Sequence, residues 1–221
     1  MPNKTKGRTL IFAAHMDDEA LSAGGLIQDR VSRGWPVHVV FLSGRVYDYG
    51  RESEYMSAED EKEDCRTSCG ILGVTSMNVH LLPEGEPYKM GYYTPLEVIE
   101  RELAEFRPTE VLVPSLNDLN QDHRHYAEVC QIALRPANLG TVRRILAMQA
   151  FDQTLHEPDF FVPMSSAMLT TKLAAVAAYR RERREGNHPR SPRNIEAMHR
   201  IWGSKVDVEF AEAYDLLLWK D

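Results

Sequence analysis

The chain has 221 residues, of which 43% are hydrophobic and 27% are charged, and its formal net charge is −7 at pH 7. This composition is ordinary for a globular protein with a sizeable core, and no apolar run approaches the roughly 20 residues that span a bilayer. The negative charge disfavours a broad surface for the phosphate backbone of a nucleic acid. We therefore expect one soluble domain, residues 1–221, that has no membrane span and does not bind nucleic acid.

Two features of the sequence favour a cytoplasmic location. The apolar stretch near the N-terminus is about six residues long, which is too short for the core of a signal peptide. The three cysteines, Cys65, Cys69 and Cys130, lack the paired spacing of a zinc knuckle. An odd number of unpaired cysteines is typical of proteins in a reducing compartment.

The first 150 residues alternate short β-rich runs with helical patterns, which predicts a parallel sheet with crossover helices. The predicted strands are residues 9–14, 37–42, 77–82, 110–114 and 143–151. The predicted helices are residues 18–33, 58–72 and 94–106, and a fourth that begins near residue 123. The fold class indicated by this alternation is α/β.

The last 60 residues have a different character. The segment MLTTKLAAVAAYRRERRE (168–185) is strongly helical, and we interpret its arginine run as a solvated helix end. A further helix is predicted after Ser191 as N-cap, with Pro192 at the first helical position. Together with the closing segment EFAEAYDLLLW, these helices are expected to cover one edge of the sheet and to help form the mouth of a site.

The segment AAHMDDEAL (13–21) places a histidine and three acids directly after the first predicted strand. Helix capping explains the acids DDE when they are taken alone. The imidazole of His15, however, joins the carboxylates in supplying the mixed nitrogen and oxygen ligands that a metal ion takes. Because open α/β sheets bind their ligands at the carboxyl ends of strands, this turn is a candidate site.

A second polar cluster follows the fourth predicted strand and contains Asp118, Asn120, Asp122, His123 and His125. The two clusters can face each other across the crevice where the strand order reverses. Ligands of the His, Asp and His type, with water in the remaining position, would form a catalytic metal site rather than a structural one. Helix capping and surface exposure are the alternative for the two histidines, and they fit His125 better than His123.

Both clusters resemble the signatures of one protein family. AHMDDE (14–19) resembles the A-H-P-D-D-E signature of the PIG-L/LmbE-type, zinc-dependent N-deacetylases, and NQDHR (120–124) resembles their second signature, H-P-D-H-R. The resemblance extends to LGV (72–74) and to AEAYD near the C-terminus, so it covers most of the chain. It implies a Rossmann-like, mostly parallel sheet with helices on both faces and C-terminal helices that cover the edge of the site.

The resemblance also implies roles for individual residues. His15, Asp18 and His123 would be the metal ligands, with Zn²⁺ as the usual ion of the family and iron or manganese as alternatives. Asp17 would be the general base, and Asp122 would support the second signature. The implied function is a metal-dependent hydrolase that removes an N-acetyl group from an amino sugar or an amino-sugar conjugate.

Two residues depart from the family signatures. Met16 replaces a proline at a turn position, where no ligand is lost. Asn120 replaces the histidine that faces the reacting carbonyl, and an asparagine can donate a hydrogen bond but cannot shuttle a proton. Either Asp17 performs both proton transfers, or His125 or His188 assists.

The contacts with the substrate are predicted in less detail. The polar loop after the second strand carries Arg45 and Arg51, which could meet hydroxyl, phosphate or carboxylate groups, or only solvent. Arg45 and His188 are our candidates for substrate binding. The oligomeric state stays open, and a homo-oligomer is one alternative.

Three other functions fit parts of the sequence. A sugar-binding member of the same fold that is non-catalytic, or altered in catalysis, would explain Asn120. A non-haem iron oxygenase could use His15, Asp17 and His123 as a facial triad, although that triad usually sits on a jelly roll. A dinucleotide-binding oxidoreductase is disfavoured because the first strand is not followed by G-x-G-x-x-G.

Overall fold

A computed structural model of the protein describes residues 7–44, 58–83, 91–149 and 157–221. The strands are β1 (Thr9–Ala13), β2 (Val37–Gly44), β3 (Ser76–Pro83), β4 (Glu110–Val113), β5 (Arg144–Met148), β6 (Phe160–Met164) and β7 (Phe210–Trp219). The α-helices of the described ranges are α1 (Asp18–Ser32), α2 (Ala58–Leu72), α3 (Tyr93–Phe106), α4 (Gln121–Ala133), α5 (Ser166–Ala178) and α6 (Pro192–Lys205). None of these helices has the length and apolar character needed to cross a bilayer.

The seven strands form one sheet in the order β3-β2-β1-β4-β5-β7-β6. The pairs from β3 to β5 are parallel, and β7 runs antiparallel to both of its neighbours. The predicted mostly parallel α/β sheet is therefore confirmed. The chain passes from β1 to β2 and β3 on one side and then returns to β4 on the other side. This reversal opens a crevice at the carboxyl ends of β1 and β4.

Helices cover both faces of the sheet. Successive side chains of a strand point to opposite faces, so each strand buries side chains against helices on both sides. In β1, Ile11 and Ala13 pack into the hydrophobic cluster that contains residues of α1, α2, α5 and α6. Leu10 and Phe12 point to the opposite face and pack with residues of α3 and α4. The apolar run over residues 10–13 of the first strand therefore follows from burial on both sides.

The C-terminal part of the chain differs from the prediction in two ways. The helix predicted over 168–185 ends at Ala178, and Tyr179 has an extended backbone. The closing segment does not cover the sheet from outside but is strand β7 inside it, paired with β5 and with β6, a strand that the sequence did not indicate. Alanine and glutamate are poor strand formers, so local propensity points away from β7 until two partner strands are present.

The arginine run after α5 is not a helix end, because the helix stops at Ala178, and part of the run pairs with acids. Arg180 donates from Nε to Asp64 Oδ1 at 2.7 Å and from its backbone nitrogen to Asp64 Oδ2 at 3.0 Å. The guanidinium of Arg181 lies 3.7 Å from Glu61. Ion pairs with the acidic first half of α2 therefore fix this segment against the helix.

A buried ion pair joins α5 to β7 inside the core. Lys172 Nζ lies 2.5 Å from Glu212 Oε1, and both side chains are at most 1% exposed. Glu212 also accepts hydrogen bonds from the backbone nitrogens of Gly25 and Leu26 in α1, and from the hydroxyl of Tyr214, each at 2.7 Å. One carboxylate thus connects two helices to the sheet.

We expect Lys172→Met to lower the free energy of unfolding by about 3 to 5 kcal/mol, because it leaves the Glu212 carboxylate buried without its counter-charge. Urea denaturation of the variant and the wild type measures the change. The exposed Lys205 provides the control, since Lys205→Met should change stability by no more than about 0.5 kcal/mol. Equal stability of all three proteins would mean that the ion pair contributes nothing.

Candidate metal centre

The two polar clusters meet at the carboxyl edge of the sheet, one after β1 and the other after β4. His15 lies in the turn between β1 and α1, Asp18 is the first residue of α1, and His123 lies in the first turn of α4. One ligand atom from each of these side chains lies within 4.8 Å of the other two. The reversal of strand order thus brings together three residues that the sequence predicts as ligands.

The spacing of these three atoms fits a metal ion. His15 Nδ1 and His123 Nε2 are 3.0 Å apart, and Asp18 Oδ2 lies 3.4 Å from the His123 nitrogen and 4.0 Å from the His15 nitrogen. Ligands at the usual zinc distances in a tetrahedral site lie roughly 3.3 Å from one another. Two imidazole nitrogens and one carboxylate oxygen suit zinc, and iron or manganese would accept the same donors.

Each of the two histidines has a carboxylate at its other ring nitrogen. His123 Nδ1 lies 2.5 Å from Asp118 Oδ2, and His15 Nε2 lies 3.2 Å from Asp122 Oδ2. Carboxylates in this position fix the ring orientation and the tautomer of a metal-binding histidine. Burial by itself would lower the pKa of His123, but the charges of Asp18 and Asp118 raise it above its usual value. The two carboxylates therefore favour the positively charged form of the His123 ring.

The two supporting carboxylates differ from what the sequence suggested. Asp122 belongs to the second signature but contacts His15 of the first. Asp118 was recognised only as a member of the cluster, and the structure shows it against His123. The sequence signal for Asp118 was weak, because an acid in a loop before a helix is usually explained by capping.

We expect Asp118→Asn to weaken metal binding by about 10- to 100-fold, because the amide is a weaker acceptor for the His123 ring. Competition with a chelator of known affinity measures the change, and Asp159→Asn, at the far end of the sheet beside β6, is the control. Asp118 Oδ1 also accepts from the backbone nitrogen of Asn120 at 2.7 Å. If the metal affinity of Asp118→Asn were unchanged, Asp118 would have no role in metal binding and would serve only to stabilise the turn.

Asp17 lies beside the three ligand side chains without joining them. It occupies the N-cap position of α1, but its side chain makes no capping hydrogen bond, so capping does not explain it. Its φ of 156° is one that residues with a side chain rarely adopt, and such strained positions are frequent in active sites. Its Oδ2 lies 3.3 Å from Nη1 of Arg190. The turn therefore directs this carboxylate away from the helix and toward Arg190.

The surroundings of Asp17 have opposing effects on its pKa. The net result is a pKa raised to about 8, because burial and the negative charges of Asp18 and Glu182 outweigh the opposing effects of Arg190 and His15. A cation held by the adjacent ligands would lower this pKa, because a positive charge favours the ionised carboxylate. A buried carboxylate of this kind can exchange a proton near neutral pH.

Asn120 and Glu19 have different roles around the ligands. Asn120 is the N-cap of α4, where its side-chain oxygen accepts from the backbone nitrogen of Asp122 at 2.8 Å. Its NH₂ group is therefore the part of the side chain that can donate a hydrogen bond to another partner. Glu19 is fully buried and accepts from Ser68 Oγ at 2.6 Å and from the Tyr179 hydroxyl at 2.7 Å. Glu19 thus ties the turn to α2 and to the segment after α5.

A cleft of about 120 Å³ opens beside His15, and Asp17 and Asn120 also line it. Asp18 and His123 line a separate, smaller cavity. The other walls of the cleft are formed by α2 and by the segment between α5 and α6, through Glu61, Asp64, Tyr179, Arg181, Glu182 and Arg190. The sequence did not indicate that any of these wall residues belongs to a site, because their spacing carries no motif.

The remaining predicted residues lie elsewhere. His125 stacks on Tyr92, with ring centroids 5.2 Å apart and an interplanar angle of 7°. His188 Nδ1 accepts from the backbone nitrogen of Arg190 at 3.1 Å. Neither histidine is among the described residues that line the cleft. Arg45 and Arg51 lie outside the described residues.

These features define a class of protein: an α/β fold with a candidate catalytic metal site at the point where the strand order reverses. Comparison with known families then identifies the particular group. The chain belongs to the PIG-L family, because the model of that family, described as GlcNAc-PI de-N-acetylase, matches residues 10–134. The family resemblance of the two signatures is thereby confirmed. No curated protein sequence matches the chain.

Solved structures share the fold over nearly the whole chain. The conserved protein TT1542 from Thermus thermophilus is 24% identical, with a TM-score of 0.76, and the match covers 95% of this chain and 94% of TT1542. The N,N'-diacetylchitobiose deacetylase of Pyrococcus horikoshii is 18% identical, with a TM-score of 0.79 and coverage of 98% and 86%.

The description of a third structure with this fold names a different reaction. It is GalB, the 4-carboxy-2-hydroxymuconate hydratase of Pseudomonas putida, which is 19% identical, with a TM-score of 0.72 and coverage of 97% and 98%. At these identities the likeness establishes the fold alone. The reaction of this chain must therefore be argued from its own site.

Proposed function

We propose that this protein is a metal-dependent hydrolase that removes an N-acetyl group from an amino sugar or an amino-sugar conjugate. The observation that carries the proposal is the cluster of His15, Asp18 and His123 with the Asp17 carboxylate beside it. Membership in a family described by de-N-acetylation supports the choice of an N-acetyl substrate. Zn²⁺ is the proposed metal, with iron or manganese as alternatives.

His15, Asp18 and His123 would hold the metal, while Asp118 and Asp122 orient the two imidazoles. A divalent ion bound there supplies Lewis acidity toward water and toward the acyl oxygen of the substrate. The contribution of the remaining residues follows from their places around the cleft.

Proton transfer in the proposed reaction is assigned to Asp17. Its carboxylate takes a proton from the attacking water as the acyl carbon becomes tetrahedral. The NH₂ group of Asn120 donates a hydrogen bond that stabilises the oxygen on which negative charge develops. Asp17 then returns its proton to the departing nitrogen. The described residues that line the cleft include no histidine besides His15, which favours one carboxylate for both transfers.

We also propose that residues 1–221 form one domain and that the protein acts in the cytoplasm on a small-molecule substrate. A single sheet that contains both the first strand and the last supports one domain. The three cysteines are free and buried, as is common for proteins of a reducing compartment.

The test of the proposed function is acetate release by the zinc-loaded protein. A panel of N-acetylglucosamine, N,N'-diacetylchitobiose and N-acetylglucosaminyl-phosphatidylinositol covers a free sugar, an oligosaccharide and a lipid conjugate. We expect equal amounts of acetate and free amine from at least one of them, and none after the metal is removed by a chelator. Saturable sugar binding without acetate release would contradict the hydrolase and favour a non-catalytic, sugar-binding role.

A further inference from the structure

We propose that Arg190 is a positioning residue of this site, whose guanidinium orients the Asp17 carboxylate for proton transfer. The inference rests on the proposed function, because it takes Asp17 as the general base. Arg190 belongs to neither family signature and lies in the segment just before α6. Its contact with Asp17 joins residues that are 173 positions apart.

The contact between the two side chains leaves one carboxylate oxygen for chemistry. Arg190 Nη1 donates to Oδ2 of Asp17 at 3.3 Å, and the two side chains are 17% and 6% exposed. No described residue forms a hydrogen bond with Oδ1 of Asp17. Both residues line the cleft. Oδ1 is therefore the oxygen that can take a proton from a water molecule in the cleft.

The backbone that carries Arg190 is held in a hydrogen-bonded turn. The Arg190 backbone nitrogen donates to His188 Nδ1 at 3.1 Å, and the carbonyl of His188 accepts from Ser191 N and from Asn194 Nδ2, each at 2.9 Å. Ser191 Oγ donates to the Gly186 carbonyl at 3.1 Å. His188, predicted as a substrate contact, thus lies behind Arg190 and fixes its backbone.

The charges around Asp17 explain why an arginine suits this position. The negative charges of Asp18 and Glu182 repel the Asp17 carboxylate, and His15 and Arg190 attract it. A guanidinium keeps its charge at any physiological pH, and its planar shape restricts the orientation of a bound carboxylate more than an ammonium does. Arg190 therefore both balances the local charge and fixes the geometry.

The kinetic test uses Arg190→Gly in the metal-loaded protein. We expect kcat to fall by about 10- to 100-fold, with little change in KM or metal content, because misplacing a reacting group by about 1 Å costs this much. Methylguanidinium added to the assay should restore part of kcat, which a purely structural loss would not permit. Arg193 is an exposed arginine three residues further on, and Arg193→Gly is the matched control. The kcat of this control should not fall, and methylguanidinium should not alter it.

A binding measurement tests the same contact without turnover. Methylguanidinium should bind zinc-loaded Arg190→Gly, as seen by NMR titration, and should not bind the zinc-loaded double variant Arg190→Gly/Asp17→Asn. If the wild type releases no acetate but this Asp17-dependent binding is found, the proposed function fails while the pairing of Arg190 with Asp17 is supported.

Three results would overturn the inference. They are a kcat of Arg190→Gly equal to that of the wild type, a loss of kcat that methylguanidinium does not restore, and methylguanidinium binding that persists in the double variant. If Arg190→Gly does not fold, Arg190→Gln retains the side-chain stem and carries the kinetic test. Its kcat should then fall by the same factor at full metal content, and an unchanged kcat would again overturn the inference.

Discussion

Replacing His123 with alanine should abolish metal binding and, with it, deacetylation. The His123 nitrogen lies 3.0 Å from the His15 nitrogen and 3.4 Å from the Asp18 oxygen, so it completes the set of three donors. Without it, two donors remain. Because the loss of a supporting carboxylate alone costs about 10- to 100-fold, we expect the loss of a ligand to cost at least about 100-fold in activity.

Elemental analysis of the purified protein measures this prediction directly. The wild type should carry about one zinc, iron or manganese ion per chain, and His123→Ala should carry almost none. His80→Ala is the control, because His80 lies on β3 and pairs with Glu102, away from the cleft. If neither wild type nor variant held metal after reconstitution, His15 and His123 would not be ligands, and the proposed hydrolase would lose its basis.

Replacing Asp17 with asparagine should, unlike His123→Ala, leave the metal bound and lower only the rate of the reaction. The amide has nearly the same size as the carboxylate and can still accept a hydrogen bond from Arg190, but it cannot take a proton from water. We expect kcat to fall by about 10² to 10⁴, the usual range for the loss of a general base. Metal content and thermal stability should stay close to those of the wild type.

Steady-state kinetics with metal analysis on the same samples separates the outcomes for Asp17→Asn. Asp159→Asn, far from the cleft, controls for the loss of a carboxylate elsewhere in the protein. Full turnover in Asp17→Asn would assign the base to another group. A loss of metal together with activity would make Asp17 a ligand instead, and the donor set of His15, Asp18 and His123 would have to be enlarged.

The predicted elements in the first half of the chain agree with the structure because their signals are local. Short β-rich runs of five to nine residues, separated by helical patterns, predicted β1 to β5, and each observed strand lies within a few residues of its prediction. Residues 150 and 151 of the fifth predicted strand lie outside the described residues. Helix α6 begins at Pro192 after Ser191, as expected from the preference of proline for the first helical turn.

The errors lie where long-range contacts override a local pattern. Residues 179–185 continue the helical composition of α5, but ion pairs between Arg180 and Asp64, and between Arg181 and Glu61, fix them outside the helix. The segment of β7 was expected to cover an edge of the sheet, yet it pairs with a strand on each side. In both cases the deciding partner is distant in the chain, and a local pattern cannot contain it.

The sequence by itself determined which side chains could bind a metal. His15 and Asp18 after one strand, and His123 after another, combine residue types and positions that depend only on local order. Only the tertiary structure decided how they are supported, since it places Asp122 against His15, Asp118 against His123 and Arg190 against Asp17. The physical reason is that contacts between distant segments depend on strand order and on helix packing, and these arise only when the whole sheet has assembled.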